Sequence, residues 1–242
     1  MDAKVIRGLV EGADVSEGAL VVDVGAGNGL ITAELSGRGA RVIAIEKDAK
    51  LVRRLQDTFA RDESVDVVAG DVLAVALPGE SIAVVANIPF GITTKILRRL
   101  MSTESFVRGD VIVQKEVASK RTTKRRGSLL NMTWEPWFRF ALRQSIPATA
   151  FRPRPSVDAA VLVVERLDDP LLEPGRRDAY ERFLTGMFTA RTDKVAKALA
   201  QRLPPNEAAA ALAAAGVPKA ARPPDVTVEQ WVRLFRAASR RR

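Results

Sequence analysis

The chain has no cysteine and no histidine. Without cysteine there is neither a disulfide nor thiol chemistry. Without histidine the usual zinc sites and imidazole acid–base mechanisms are lost as well, and the two absences together remove most hydrolase mechanisms. Long apolar runs are missing too. No segment has the length and apolarity of a membrane span, and no strongly basic amphipathic anchor is visible. The amino terminus lacks the apolar core of a signal peptide, so a cytoplasmic protein is expected. Negative charge is in deficit: Lys and Arg number 38 against 29 Asp and Glu, giving a formal net charge of +9 and a pI near 10.3. That balance favours a polyanionic partner, and nucleic acid suits it better than a membrane surface. At 242 residues the chain can bury a substantial core, divided most naturally into one large and one small domain.

What is present is a series of short apolar runs, each ending in a polar residue. Val21–Val24 reads as a buried strand followed by Gly25-Ala26-Gly27-Asn28-Gly29 and a helix-like stretch from Leu30 to Leu35. Glycines there let the backbone turn sharply and approach a ligand closely, although many strand-to-helix turns need glycine for no other purpose. Arg41–Ile45 makes a second strand ending in Glu46, about twenty residues after the glycines, where a carboxylate can accept hydrogen bonds from ribose hydroxyls. Its plainer reading is a solvated charge at a strand end. A third run, Val65–Ala69, ends in Gly70-Asp71; Asp71 either accepts from an adenine amino group or caps the following turn.

The fourth run, Ile82–Ala86, delivers Asn87-Ile88-Pro89-Phe90. Taken alone, Asn-X-Pro-aromatic is an ordinary way to leave a strand. It also suits the methylation of an exocyclic amine, whose lone pair is delocalised into the ring. The Asn87 side-chain oxygen and the Ile88 carbonyl would accept the two N–H hydrogens and draw the nitrogen toward tetrahedral geometry, while Phe90 stacks on the base. Preorganised acceptors of this kind stabilise charge developing on nitrogen, so no general base is required. Open parallel α/β sheets bind ligands at the carboxyl edge of their strands, and four successive strands here end in a residue able to contact an adenosyl ligand. A dinucleotide dehydrogenase would share the first two features; Asp71 together with Asn87–Phe90 favours S-adenosylmethionine.

The stretches Asp23–Thr32 (DVGAGNGLIT), Ala44–Asp48 (AIEKD), Ala69–Leu73 (AGDVL), Asn87–Leu97 (NIPFGITTKIL) and Phe151–Leu162 (FRPRPSVDAAVL) resemble the ribosomal RNA adenine N6-methyltransferases, specifically the Erm type. They run through most of the first two-thirds of the chain. The resemblance implies an α/β fold, a Rossmann-like methyltransferase sheet with a small C-terminal helical domain. It also implies S-adenosylmethionine binding by Gly25, Ala26, Gly27, Glu46, Lys47, Asp71, Val72 and Asn87. Target-adenine contacts fall to Asn87, Ile88, Pro89 and Phe90, with Phe151 supporting the base from another side. The implied activity is methylation of N6 of one adenosine in large-subunit (23S) ribosomal RNA, conferring macrolide-type resistance. The RNA would be engaged before the subunit is fully assembled, and a monomer suffices. The alternatives are a KsgA-like small-subunit dimethylase, whose relatives usually carry Asn-Leu-Pro-Tyr, and a noncatalytic RNA-binding assembly factor on the same fold. Three departures stand out. Gly91 sits where many relatives carry Asn, and Phe90 replaces the more frequent Tyr. Met1-Asp2-Ala3-Lys4 opens just past the point where relatives carry a Gln-Asn-Phe-Leu-like segment that closes over the cofactor, so the chain is expected to continue further toward the amino terminus.

Strand and helix alternation up to about Leu100 predicts a parallel sheet. Val111–Val113 adds a fifth strand, and Phe138–Ile146 with Val157–Val164 reads as a final antiparallel pair. Phe151-Arg152-Pro153-Arg154-Pro155 between them is a stiff loop that would hold Arg152 and Arg154 at the rim of the site. The expected division is 1–166 catalytic, 167–174 linker and 175–242 a helical RNA-binding domain with a basic tail. In that last part Tyr180, Phe183, Leu184, Met187 and Phe188 follow helical spacing and should face a core. A helix over Glu207–Ala215 should stop at Gly216. Another begins near Thr227, with Gln230 completing a capping box and Trp231, Leu234 and Phe235 buried. Lys115, Lys120, Arg121, Lys124, Arg125 and Arg126 follow the fifth strand and are expected to contact phosphate, although such a run is also what a solvated face looks like. Arg240–Arg242 would add nonspecific attraction, which supplies affinity and salt dependence but little sequence information.

Overall fold

A computed structural model describes residues 1–123 and 127–239. The helices and strands run, in chain order, α1 (Ala3–Ala13), β1 (Leu20–Val24), α2 (Leu30–Ser36), β2 (Arg41–Glu46), α3 (Ala49–Thr58), β3 (Val65–Ala69), β4 (Ile82–Asn87), α4 (Thr93–Ser102), β5 (Phe106–Gln114), α5 (Lys115–Thr122), α6 (Leu129–Trp134), β6 (Phe138–Ile146), β7 (Ala159–Arg166), α7 (Arg177–Phe188), α8 (Val195–Ala200), α9 (Pro205–Ala215) and α10 (Val228–Ser239). The seven strands form one mixed sheet in the order β3-β2-β1-β4-β5-β7-β6. Pairing is parallel from β3 through β5, and β7 runs antiparallel to β5, with Gln114 opposite Ala159.

All five residues of β1 are buried, as expected of a central parallel strand, and the one polar residue among them, Asp23, is buried too. The chain leaves β1 toward β2 on one side, and β4 returns to the other. The carboxyl ends of β1 and β4 therefore flank the point where strand order reverses, the place at which such sheets open a crevice. Helix starts follow local chemistry. Asp2 caps α1 by accepting from the Lys4 amide at 2.7 Å, and Asp48 caps α3 by accepting from Lys50 and Leu51.

The chain divides into two compact units. The first, Met1–Ser119 with Phe140–Arg166, holds most of the sheet, and an apolar cluster within it includes Leu9, Leu35, Val85, Ile112, Phe151 and Val161. Helix α1 is tied to the sheet by a buried cluster the sequence did not announce. Asp110 on β5, 1% exposed, accepts from Arg108 at 2.6 Å and from Arg143. The same guanidiniums donate to carbonyls of α1, Arg143 to Leu9 at 2.9 Å and Arg108 to Gly12 at 3.1 Å. Gly12 lies in the last turn, where helix carbonyls lack an internal partner.

The second unit is Lys120–Arg139 with Leu167–Arg242, which differs from a division at 166 and 175. Residues 120–139 join it because Trp137 packs edge-on against Tyr180, with ring centroids 5.8 Å apart, and the Arg177 guanidinium lies over both Trp134 and Trp137. The stretch expected as a linker is fastened to the same segment: Leu167 donates to the Trp137 carbonyl and Leu171 to that of Pro136. Within this unit Phe183 contacts the rings of Trp231 and Phe235. Gly216 ends α9 in the left-handed region, and Thr227 and Gln230 exchange the two hydrogen bonds of a capping box at the start of α10. Among the described residues no helix is long and apolar enough to cross a membrane.

Candidate active site at the strand ends

A cavity of about 260 Å³ opens at the carboxyl edge of β1, β2 and β3. Val24, Gly25, Ile45, Glu46, Lys47, Gly70, Asp71 and Val72 wall one side, and Pro89, Gly91, Ile92 and Ile96 the other. Gly25 and Gly27 sit at φ +70° and +60°, a conformation that side-chain-bearing residues rarely adopt, so the turn after β1 needs glycine at both. A Cβ built on Gly25 would come within 3.7 Å of the Pro89 ring. Of the Asn87–Phe90 stretch, Pro89 lines this cavity and lies beside the glycine turn.

Glu46 is 8% exposed and already works as a brace. One carboxylate oxygen accepts from the Lys47 and Asp48 amides at 2.8 and 3.0 Å; the other accepts from Gly27 at 2.9 Å. A carboxylate has about four acceptor positions, so one remains on the oxygen facing the glycine turn. Asp71 is exposed and takes the Leu73 amide on one oxygen at 2.9 Å, closing a local turn. These features fit an adenosyl group. Val24, Ile45, Val72, Ile92 and Ile96 offer apolar walls for a flat base, and the two carboxylates offer acceptors for hydroxyl and amino hydrogens.

Asn87 ends β4 opposite Ile112 and is partly exposed, and its carboxamide makes no hydrogen bond to another described residue. Ile88 is buried, its amide bound to the Ile112 carbonyl at 3.1 Å, which fixes the direction of the peptide that follows. Thr93, 2% exposed, donates to the Pro89 and Phe90 carbonyls and pins the turn onto α4. Phe90 is half-buried against the apolar cluster to which Phe151 belongs. Phe151 is 8% exposed and is a core residue rather than a second wall for a base, since it belongs to the same buried apolar cluster as Ile6, Leu9, Ile146 and Val161. Ala26 likewise packs inward, with Ala44, Leu55 and Phe59.

Two further residues support the site: Arg99, which carried no sequence signal, and Asp23, the first residue of the motif that holds the glycine turn. Arg99 on α4 donates to the Val72 carbonyl at 3.0 Å and the Val75 carbonyl at 2.8 Å, fixing the loop that carries Asp71 and Val72. Asp23, 1% exposed on β1, accepts from the Thr32 hydroxyl at 2.8 Å and leaves its other oxygen without a partner. Burial pushes its carboxyl up to about 7, against the opposing hydrogen bonds from Thr32 and with a further upward push from the nearby Glu46 charge.

Of the expected phosphate contacts, Lys115, Arg152 and Arg154 are exposed in the first unit and Lys120 in the second. Arg121 is a correction. It is partly buried and donates to the Asn131 side chain at 3.1 Å, while Asn131 donates back to the Lys120 and Arg121 carbonyls. Burial lowers the Arg121 guanidinium below its ordinary range, so it joins α5 to α6 rather than facing solvent. Lys124, Arg125, Arg126 and Arg240–Arg242 lie outside the described residues.

A mixed sheet with glycine turn, paired carboxylates and Asn-Ile-Pro-Phe at successive strand ends defines a Rossmann-like methyltransferase. A profile of the ribosomal RNA adenine dimethylases matches residues 1–240. The mycinamicin-resistance protein MyrB of Micromonospora griseorubida is 38% identical over 216 residues, spanning 89% of this chain and 69% of that protein. The ribosomal RNA small subunit methyltransferase A of Acidobacterium capsulatum is 34% identical over 243 residues, spanning 95% and 85%. The crystal structure of the 23S rRNA methyltransferase ErmE superposes with a TM-score of 0.85 at 31% identity, covering 99% of each chain. The chain belongs to the ribosomal RNA adenine dimethylase family, whose members are S-adenosylmethionine-dependent, and it is a ribosomal RNA methyltransferase.

Proposed function

We propose that the enzyme methylates N6 of one adenosine in large-subunit (23S) ribosomal RNA, conferring macrolide-type resistance, with S-adenosylmethionine as donor. The observation that supports the chemistry is that Pro89, two residues from Asn87, lines the cavity beside Gly25, while the Asn87 carboxamide makes no hydrogen bond to another described residue. Large-subunit RNA is favoured by the likeness to ErmE and to MyrB and by Asn-Ile-Pro-Phe, which stands where small-subunit enzymes usually carry Asn-Leu-Pro-Tyr.

When bound, the cofactor supplies a methyl carbon activated by a sulfonium. Glu46 and Asp71 would accept from its ribose and adenine, and Val72, Ile92 and Ile96, which line the cavity, would lie against the base. On the substrate side, the Asn87 oxygen and the Ile88 carbonyl accept the two hydrogens of the adenine amine and localise its lone pair. Phe90 stacks on the ring and keeps the nitrogen in line. Forming the N–C bond would break the methyl–sulfur bond, with the sulfur leaving as a neutral thioether, and the cationic amine would shed its extra proton to water, so no side chain must act as a base. Extracting the base from its stack costs roughly a few kcal/mol, less for an unpaired adenosine. Lys115, Lys120, Arg152 and Arg154 supply attraction for phosphate, with the helical second unit adding RNA-binding surface. The setting is cytoplasmic, on RNA not yet fully assembled into its subunit, and a single copy suffices.

The test is a labelled-methyl assay on separated 23S and 16S RNA, with the modified nucleotide mapped by mass spectrometry. Label in 23S RNA that falls at least a hundredfold in Asn87→Ala supports the reading. The similarity to the Acidobacterium enzyme makes 16S RNA the second candidate; label there alone transfers the same mechanism to the small subunit. Full transfer by Asn87→Ala refutes the role given to that carboxamide.

A further inference from the structure

Asn87–Phe90 separates two cavities. Beyond it, where β5 ends and β7 begins, a second cavity of about 390 Å³ is lined by Gln114, Lys115, Glu116, Ser119, Val157 and Asp158. It lies on the side of β4 away from the glycine turn, because β4 stands between β1 and β5 in the sheet. The register fixes its distance. Asn87 pairs with Ile112 and Gln114 follows two residues later in the same direction. Strand rise and spacing put the Asn87 and Gln114 backbones about 8 Å apart, a gap comparable to one unstacked nucleotide.

The lining has the chemistry of a nucleoside rather than of a phosphate. Two carboxylates, Glu116 and Asp158, would repel an anion placed inside. Gln114 and Ser119 can both donate and accept, and Val157, 42% exposed, is one of the large apolar side chains left open to solvent. Asp158 is already oriented: one oxygen accepts the Ala148 amide at 3.0 Å, and the other makes no hydrogen bond to a described residue. The Lys115 amide donates to the Asp158 carbonyl at 2.9 Å, joining the two ends of the cavity into one rigid rim.

We infer that this cavity receives the nucleoside adjacent to the target adenosine in the RNA chain, and that it contributes the enzyme's choice of sequence context. This rests on the reading of the active site above. The neighbouring base lies against Val157, its amino group or the ribose 2′-hydroxyl donates to Asp158, and Lys115 meets the phosphate between the two nucleosides. Single-stranded RNA is read by splaying bases into pockets of this sort, and the 2′-hydroxyl is what distinguishes RNA from DNA at a given position.

The experiment uses the full chain and a ribosomal RNA stem-loop carrying the mapped adenosine. At each flanking position the stem-loop is made intact, abasic or 2′-deoxy, and KM and kcat for methyl transfer are measured. For the wild type, an abasic residue on one flank should raise KM roughly tenfold, toward the lower end of what a single base contact contributes, with kcat little changed. A 2′-deoxy effect at the same flank assigns the Asp158 partner to the ribose; its absence assigns the base. Val157→Ser, an exposed position with little bearing on folding, should raise KM for the intact RNA and lose most sensitivity to the abasic one, with S-adenosylmethionine affinity unchanged. Ser119→Phe, which fills the cavity, should do the same more strongly. Methyl transfer that is indifferent to both flanks overturns the inference while leaving the active-site reading standing. So do Val157→Ser losses equal for intact and abasic RNA. Absence of transfer to any ribosomal RNA overturns the reading beneath it instead.

Discussion

Replacing Glu46 with Gln tests whether the carboxylate holds the glycine turn and the cofactor together. The carboxylate accepts three backbone amides, two on one oxygen and Gly27 on the other. A glutamine has one accepting oxygen and one donating nitrogen. If its oxygen keeps the Lys47 and Asp48 bonds, its NH₂ group faces the Gly27 N–H, donor against donor, and the acceptor position open to a ribose hydroxyl is lost. A hydrogen bond to a charged group contributes about 1.5–3 kcal/mol, which corresponds to roughly 10- to 150-fold in affinity. The Gly27 bond exists without ligand, so the ligand-free protein should also melt lower, by about 3–12 °C at the 2–4 °C per kcal/mol expected for a chain of this size. Isothermal titration with S-adenosylmethionine and a thermal melt of Glu46→Gln read the two effects separately. A dissociation constant within twofold of wild type and an unmoved melting temperature would show that neither the brace nor the ribose contact exists.

Three further outcomes follow from the same geometry. Asp23 has its carboxyl raised from 3.8 to about 7 by burial; a raised carboxyl stabilises the fold below the unfolded value and loses that contribution as pH climbs to about 7. Asp23→Asn should therefore remove a decline of roughly 4 kcal/mol between pH 4 and 7, and urea titrations across that window with parallel slopes for both proteins would contradict it. A Cβ on Gly70 would collide with a Val75 methyl, so Gly70→Ala must displace Val75 or the loop bearing Asp71 and Val72. It should cost about 1–3 kcal/mol and weaken cofactor binding about tenfold, read by denaturation and calorimetry. Gly91 has open space around its missing Cβ and no left-handed φ. Gly91→Asn, the residue many relatives carry, should keep transfer within about twofold and stability within about 0.5 kcal/mol.

The strand ends were legible because each strand is written as a short, largely apolar run, in the partly buried edge strand β3 as well as in the buried β1 and β4, and the residue that closes each run sits at the ligand edge. Val65–Ala69 appears as read, and β4 extends past Ala86 only by Asn87 itself. Burial of particular aromatics was not legible. Phe151 follows a proline-rich loop and looks available to a base, yet it faces a cluster built from α1, β6 and β7, elements separated by more than a hundred residues. Arg121 sits within a run of cations whose local sequence gives no sign that Asn131 would take its charge inward. Trp134 and Trp137 belong with α7 for the same reason: edge-to-face partners such as Tyr180 are set by tertiary contact, which no periodicity encodes. The Asp110 cluster escaped notice because its members are spread over β5 and β6 and donate to main-chain carbonyls of α1.

Two side chains on α4 couple what the strand ends present. Thr93 holds the Pro89 and Phe90 carbonyls at its first turn, and Arg99, nearly two turns later, holds those of Val72 and Val75. One short helix therefore positions both the Pro89–Phe90 turn and the loop that carries Asp71 and Val72. Neither residue touches a reacting atom. Each works by satisfying backbone carbonyls that a loop would otherwise leave to water, and a helix is stiff enough over this length to carry the constraint from one wall of the cavity to the other. β4 and the Thr93-pinned turn fix the backbone on both sides of Asn87, and under the proposed mechanism its carboxamide, which makes no hydrogen bond to another described residue, would be left to meet substrate.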